Sequence, residues 1–181
     1  MKRMIAVGLL ALLLYPAAVS AADAETVKHR VTGLFNKERE ADLREVVKKL
    51  TGVTIVAIDF DTSEVTFSYD PQKLLGKGNE KQVLERFDTL IRNASSHTFG
   101  VRGLCMTPKE KLLRIEIPVA GLDCRGCELS AYEVIFKMDG VEQATCSFKA
   151  GMMTALIDPE KTTKGALEDA LKKRNVTLRT P

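Results

Sequence analysis

The sequence lacks tryptophan, a marked excess of charge of either sign, and a second long hydrophobic run. Its 27 basic and 24 acidic residues give a net charge of +3, but Lys2 and Arg3 belong to a segment that we expect to be removed. The remaining chain is nearly neutral, which excludes the electrostatic footprint of a nucleic-acid-binding protein. Because the one long hydrophobic run is N-terminal, no membrane insertion is expected after its removal.

Residues 1–22 have the pattern of a secretory signal peptide. Lys2 and Arg3 form a positive start, Met4–Tyr15 is an apolar run, and Ala17–Ala22 supplies the small residues of a cleavage region. The apolar run is short for a membrane span. We therefore expect an exported protein, periplasmic or secreted.

The chain repeats itself with an offset of 88 residues. Val31–Pro71 aligns with Val119–Pro159 without a gap, and such self-similarity indicates two copies of one structural unit. Identical pairs include Val31/Val119, Gly33/Gly121, Leu34/Leu122, Glu45/Glu133, Gly52/Gly140, Thr66/Thr154 and Pro71/Pro159. We expect two small domains over residues 24–103 and 112–180, joined by a linker at 104–111.

Hydrophobic periodicity predicts the same element order, βαββαβ, in both copies. Apolar residues that alternate predict strands, and an apolar stripe on one face predicts a helix. This order predicts an α+β fold, with a four-stranded antiparallel sheet and both helices on one face. The predicted strands are 26–32, 53–60, 64–69 and 98–102, then 112–119, 141–148, 152–158 and 176–179, and the predicted helices are 38–50, one that starts after Asn79, 128–138 and 163–174.

Two cysteines, Cys124 and Cys127, lie where a predicted strand of the second copy gives way to a helix. Backbone N–H groups and the helix dipole favour thiolate over thiol at a helix N-terminus. Two thiolates at this spacing can hold a soft ion such as Cu(I) or Hg(II) and leave it open to a third ligand. Zn(II) prefers four ligands and would need others from solvent or a partner. The alternative is a structural disulfide or a chance pair.

The second copy resembles the heavy-metal-associated domain over nearly all of residues 112–178. The matching features are Gly121-Leu122-Asp123-Cys124-Arg125-Gly126-Cys127 between strand and helix, then Gly140-Val141, then Asp158-Pro159. This family is the ferredoxin-like module of copper chaperones, metal-transporting ATPases and the periplasmic mercury-binding protein. The resemblance implies two tandem ferredoxin-like βαββαβ domains and a Cu(I) or Hg(II) site at Cys124 and Cys127, with Zn(II) as a further candidate. It also implies a metal-transporting membrane protein or another metallocarrier as the partner.

Departures from the family pattern concentrate in the first copy. Leu122 stands where the family usually has Met, and Leu can fill that role by volume. In the first copy, Asn36 and Arg39 occupy the two thiol positions, and Phe35 replaces Asp123. Neither Asn nor Arg is a soft-metal ligand. The first copy is therefore expected to bind no metal and to be a degenerate domain that acts as a docking surface or a spacer.

Two other functions remain open. A Cys-x-x-Cys pair at a helix N-terminus is also the thioredoxin arrangement, and an exported protein meets an oxidising compartment. Against a dithiol–disulfide oxidoreductase, no Trp precedes the first Cys, and the element order differs. The third hypothesis is a structural interaction module in which the cysteines staple a loop. We predict a non-enzymatic carrier of a soft metal ion.

The other candidate side chains are expected to be structural. Cys146 is in phase with the inward-facing residues of its strand, so we expect it to be a core residue. Cys105 falls in the linker and is assigned no role. His29 aligns with an inward Ile, and His97 has no second ligand beside it. Pro118 cannot donate to a ladder, so we expect it past the last ladder bond of its strand.

Overall fold

The computed structural model describes residues 24–122, 124–147 and 149–179. These residues form two four-stranded antiparallel sheets with their helices, which confirms the predicted α+β fold of two ferredoxin-like domains. The proposed signal peptide at 1–22 lies outside the described residues. Among the residues described, no helix is both long and apolar enough to cross a bilayer.

The strands and long helices of the first domain follow the predicted βαββαβ order, with one additional short helix. Its elements are β1 Glu25–Thr32, α1 Arg39–Lys48, β2 Thr54–Asp59, β3 Glu64–Tyr69, α2 Pro71–Leu75, α3 Glu80–Ala94 and β4 Gly100–Arg102. The strand order is β2-β3-β1-β4. The short helix α2 was not predicted. Asp70 caps it by accepting a hydrogen bond from the N–H of Lys73 at 3.0 Å, and Pro71 occupies its first position, where the missing N–H costs nothing.

The second domain repeats that topology with the strand order β6-β7-β5-β8. Its elements are β5 Leu113–Ala120, α4 Arg125–Phe136, β6 Val141–Ser147, β7 Met152–Ile157, α5 Lys164–Lys172 and β8 Thr177–Leu178, preceded by a 3₁₀ turn at Lys109–Lys111. Helix α4 begins three residues earlier than predicted. Gly126 is a poor helix former, but the residue before α4, Cys124, caps the helix with its side chain. Cys127 therefore lies in the first turn of α4.

Pro118 lies inside β5, so the expectation that it would follow the last ladder bond was wrong. It pairs with Met152 of β7, and its carbonyl accepts a hydrogen bond from the N–H of Arg179 at 2.9 Å. Successive N–H groups of a strand point to alternate sides. Because the N–H of Val119 donates towards β7, to the carbonyl of Gly151, the missing N–H of Pro118 faces β8. Strand β8 is so short that the proline loses a bond only at the end of that ladder.

Each domain has its own hydrophobic core, and one residue crosses between them. Cys146 is fully buried in the second core, as predicted from its phase in β6, and Met153 of β7 is buried beside it. His29 is buried in the first domain, where its Nε2 lies 3.0 Å from the hydroxyl of Tyr69. Phe35 belongs by sequence to the first domain, yet it is 5% exposed and forms part of the second core. The two domains are thus packed together through this side chain.

Candidate metal centre

The two predicted metal ligands meet at the start of α4. Cys124 is its N-cap residue, with an extended backbone at φ −149° and ψ 159°. The sulfur of Cys124 accepts a hydrogen bond from the N–H of Cys127 at 3.2 Å, and the two sulfurs lie 2.6 Å apart. Cys124 is exposed, whereas Cys127 is half-buried against the second core. The structure therefore brings both sulfurs together at the surface.

The dithiol can accept an ion after a small side-chain movement. With a metal–sulfur bond of about 2.3 Å, a linear pair of thiolates needs its sulfurs about 4.6 Å apart. Cys124 is exposed and precedes the helix, so rotation of its side chain towards solvent can open this gap, with loss of the hydrogen bond that its sulfur accepts from the N–H of Cys127. Among the described residues, no cluster of three or more His, Cys, Asp or Glu side chains could hold a metal. Two thiolates are ligands of the kind that soft ions prefer.

The loop 33–38 of the first domain packs against the second domain beside the thiols. The ring of Phe35 lies 5.7 Å from that of Tyr132 on α4. The carbonyl of Phe35 accepts a hydrogen bond from the N–H of Cys146 at 2.7 Å, and the N–H of Gly33 donates to the Tyr132 hydroxyl at 2.9 Å. Because β6 is an edge strand, the loop covers backbone groups that would otherwise be open to another chain.

Polar side chains of the same loop reach the first turn of α4. The amide Nδ2 of Asn36 donates to Oε2 of the buried Glu128 at 3.3 Å. The carboxylate of Glu38 accepts from Arg125 at 3.2 Å and lies 3.5 Å from Nζ of Lys149. All five side chains line a depression of about 420 Å³ that the first thiol also lines. The surroundings of the thiols are therefore built from both domains.

The positions that align with the two cysteines serve a different purpose in the first domain. The side-chain oxygen of Asn36 accepts a hydrogen bond from the N–H of Arg39 at 3.3 Å, which is the contact that joins the two cysteines in the other domain. The guanidinium of Arg39 lies 4.1 Å from the ring centroid of Phe99 and donates to the carbonyl of Gly33 at 3.2 Å. At the two positions where the second domain has sulfurs, the first domain has an amide oxygen and a guanidinium, and these groups hold the loop.

The remaining cysteines and histidines form no metal cluster with the thiol pair among the residues that the structure describes. Burial raises the pKa of Cys146 to about 12. Burial also raises the pKa of Cys105, whose sulfur donates to the carbonyl of Thr107 at 3.3 Å. Both thiols are free, so no bond joins them. Burial lowers the pKa of His29, and His97 lies in a turn at φ 63°. These groups are structural or peripheral to the candidate site.

Sequence reasoning missed the first-domain side chains around the site: Phe35, Asn36 and Glu38. It also missed Tyr132, which receives the loop. One signal was available, since Phe35 places a large apolar side chain where the other copy has Asp123. A large aromatic residue on a loop, where the other copy has a carboxylate, indicates that something covers the loop.

Comparisons with known proteins do not assign the chain to a family. No protein-family model matches the sequence. The chain is similar to human copper-transporting ATPase 2, with 27% identity over 169 residues, which is 80% of this chain. It spans only 11% of the length of that relative.

Among solved structures, the chain is similar to the CopZ metallochaperone and to the N-terminal soluble domains of Bacillus subtilis CopA. The first match has 19% identity and a TM-score of 0.36, and covers 37% of this chain and all of the other. The second has 18% identity and a TM-score of 0.36, and covers 87% of this chain and 93% of the other. Oxidized MerP from Ralstonia metallidurans CH34 has 20% identity and a TM-score of 0.36, over 38% and 94% of the two chains.

Proposed function

We propose that this protein is an exported, non-enzymatic carrier of a soft metal ion, Cu(I) or Hg(II), with Cys124 and Cys127 as the ligands. The observation that carries the proposal is the placement of both cysteines at the start of α4, with Cys124 as its exposed N-cap and Cys127 in its first turn. Soft sulfur ligands select soft ions. Zn(II) would have to complete its coordination with ligands from solvent or a partner.

Two ligands at the surface suit transfer of the ion better than its storage. A thiolate of a partner can bind the ion before the first protein thiolate leaves, so the ion never has to dissociate into solvent. The exposed Cys124 is the natural leaving ligand, because Cys127 is half-buried against the core. The ion is cargo in this proposal, and it exchanges ligands without a change of oxidation state.

Copper as the cargo and a metal-transporting membrane protein as the partner are supported by the relative named a copper-transporting ATPase. The family resemblance of residues 112–178 supports the same class and adds another metallocarrier as an alternative partner. Export rests on the signal-like residues 1–22. Sequencing the N-terminus of the mature protein from its host would test that part separately.

Metal titration of the full, reduced chain without oxygen tests the proposal. We expect one tightly held equivalent of Cu(I) in competition with a chromophoric chelator. The double variant Cys124→Ser/Cys127→Ser should lose it, because a hydroxyl is a poor ligand for a soft ion. The control Cys105→Ser also removes a thiol and should bind as the wild type does. Absence of binding with both thiols reduced, or full binding by the double variant, would refute the carrier function.

The close approach of the two sulfurs also favours a second candidate, a dithiol–disulfide oxidoreductase. In that reaction Cys124 and Cys127 form a disulfide while a substrate disulfide accepts two electrons and two protons. Catalysed reduction of a protein disulfide, lost in the same double variant, would support it. If the double variant retained every partner contact and phenotype, a structural interaction module would be the better description.

A further inference from the structure

We propose that the first domain is a fixed positioning partner of the thiol site, and that Phe35, Asn36 and Glu38 hold the first turn of α4 in its metal-binding conformation. The inference rests on the proposed function and gives a role to the domain without a Cys-x-x-Cys pair. All three residues lie on one loop, and each contacts a different part of the structure around the two sulfurs.

Phe35 anchors the body of α4. It leaves its own domain and is almost completely buried in the other core. Its ring meets Tyr132, which in turn stacks on Phe136 with ring centroids 5.1 Å apart. The carbonyl of Phe35 is bonded to the edge strand β6 through the N–H of Cys146. One residue therefore joins the helix and the edge strand to the first domain.

Asn36 and Glu38 act at the first turn itself. Glu128, which accepts from Asn36, follows the second thiol directly in the chain. Arg125, which donates to Glu38, lies between the two thiols. Glu38 also faces Lys149, in the turn between β6 and β7. The two side chains therefore tie the turn that carries the sulfurs to the first domain and to the neighbouring hairpin.

Such support is useful because helix ends fray. One sulfur belongs to the N-cap of α4 and the other to its first turn, so unwinding of that turn would separate the ligands. A turn held in place before the ion arrives loses less conformational entropy on binding, which strengthens the complex. A spacer domain would give no such effect. Groups that support metal ligands typically change metal affinity by about 10-fold or more when removed.

The test uses the full chain carrying Asn36→Asp and Glu38→Gln. Asp at position 36 keeps the oxygen that accepts from the N–H of Arg39 and loses only the donor to Glu128, and Glu38 is exposed, so the melting temperature should stay close to that of the wild type. We expect the dissociation constant for Cu(I) to rise about 10-fold. In metal-free protein, hydrogen exchange of the Cys127 and Glu128 amides should accelerate. The single variant Glu38→Asp keeps the carboxylate. It should therefore retain most of the Cu(I) affinity that Glu38→Gln loses.

The matched control is Glu45→Gln with Asn93→Asp, on two helices of the same domain. Both residues are exposed, and the ion pair of Glu45 is with Lys48, inside its own helix. This variant should leave affinity and exchange unchanged. If the wild type binds no metal, the proposed function fails. If the wild type binds, and the test variant has the same affinity and the same exchange rates, the positioning role fails while the carrier function stands. A fall in melting temperature that accounts for the loss of affinity would equally overturn the positioning role.

Discussion

The loop between the first strand and the first helix is closed in one domain and open in the other. In the first domain it buries Phe35 in a neighbouring core. In the second domain the aligned stretch exposes Cys124. The local backbone contact is shared, because a side chain accepts a hydrogen bond from the N–H three residues later in both. One loop geometry can therefore present a pair of thiols or anchor the loop in a neighbouring core, according to the side chains that it carries.

The edge strands β2 and β6 of the two sheets also differ in how far they are covered. Residues of β2 are mostly exposed, whereas those of β6 are buried or half-buried. The difference arises from the first domain, which covers β6 through loop 33–38 and through Arg30, whose guanidinium pairs with the Glu142 carboxylate. Gln143 of β6 also donates to the carbonyl of Phe60 at 3.2 Å. An edge strand is protected here by the other copy of the same fold.

The largest expected difference between the two loops concerns their aligned glycines. Both have positive φ, and a Cβ on Gly33 would lie 2.2 Å from the carbonyl oxygen of Thr98, whereas one on Gly121 would meet nothing within 4 Å. Gly33→Ala combines backbone strain of about 1–2 kcal/mol with overlap of about 1–3 kcal/mol. We expect it to lose about 3 kcal/mol or more of unfolding free energy, measured by urea denaturation.

Gly121→Ala should lose only the strain, about 1–2 kcal/mol. Gly52→Ala is the control within the first domain, because its φ is also positive and its surroundings are also open. Equal losses at positions 33 and 121 would contradict the view that one loop is closed and the other open.

A smaller difference is expected at the N-caps of the second long helix of each domain. Asn79 accepts from the N–H of Gln82 at 3.0 Å, and the Gln82 side chain accepts from the N–H of Asn79 at 3.2 Å. Thr163 makes one such bond, from the N–H of Ala166 at 3.3 Å. We expect Asn79→Ala to cost about 1–2 kcal/mol and Thr163→Ala about 0.5–1 kcal/mol in thermal unfolding. A greater loss at Thr163 would show that the reciprocal bond contributes nothing.

The smallest expected effect is a pH dependence of the unfolding free energy that arises from His29 in the first domain. Burial lowers the pKa of His29 below 6.5, against an opposing influence of the Glu80 carboxylate. The unfolded chain then binds more protons, so this contribution to stability is full above pH 6.5 and is lost as the pH falls through the folded pKa. His29→Ile, which introduces the residue type of the aligned Ile117, should flatten that part of the profile. Urea midpoints measured between about pH 8 and pH 5 for both proteins would show it, and an unchanged slope would contradict the assignment.

Much of each domain was predictable because it depends on residues close together in sequence. Strand β3 has the predicted bounds, and helix α3 starts directly after Asn79, as predicted. Errors arose where two local preferences compete. Gly126 disfavours a helix, but capping by Cys124 starts α4 before it. Pro71 ends a strand and also begins a helix.

By itself, the sequence determined the repeat, the order of elements and the placement of two thiols at a helix start, since periodicity and spacing act over a few residues. Only the tertiary structure decided where Phe35 goes, and that Asn36 and Glu38 stand beside a thiol pair almost 90 residues away in the chain. Such contacts carry no local period, because they depend on how two folded surfaces fit together. The surroundings of the candidate metal site therefore became visible only once both domains were in place.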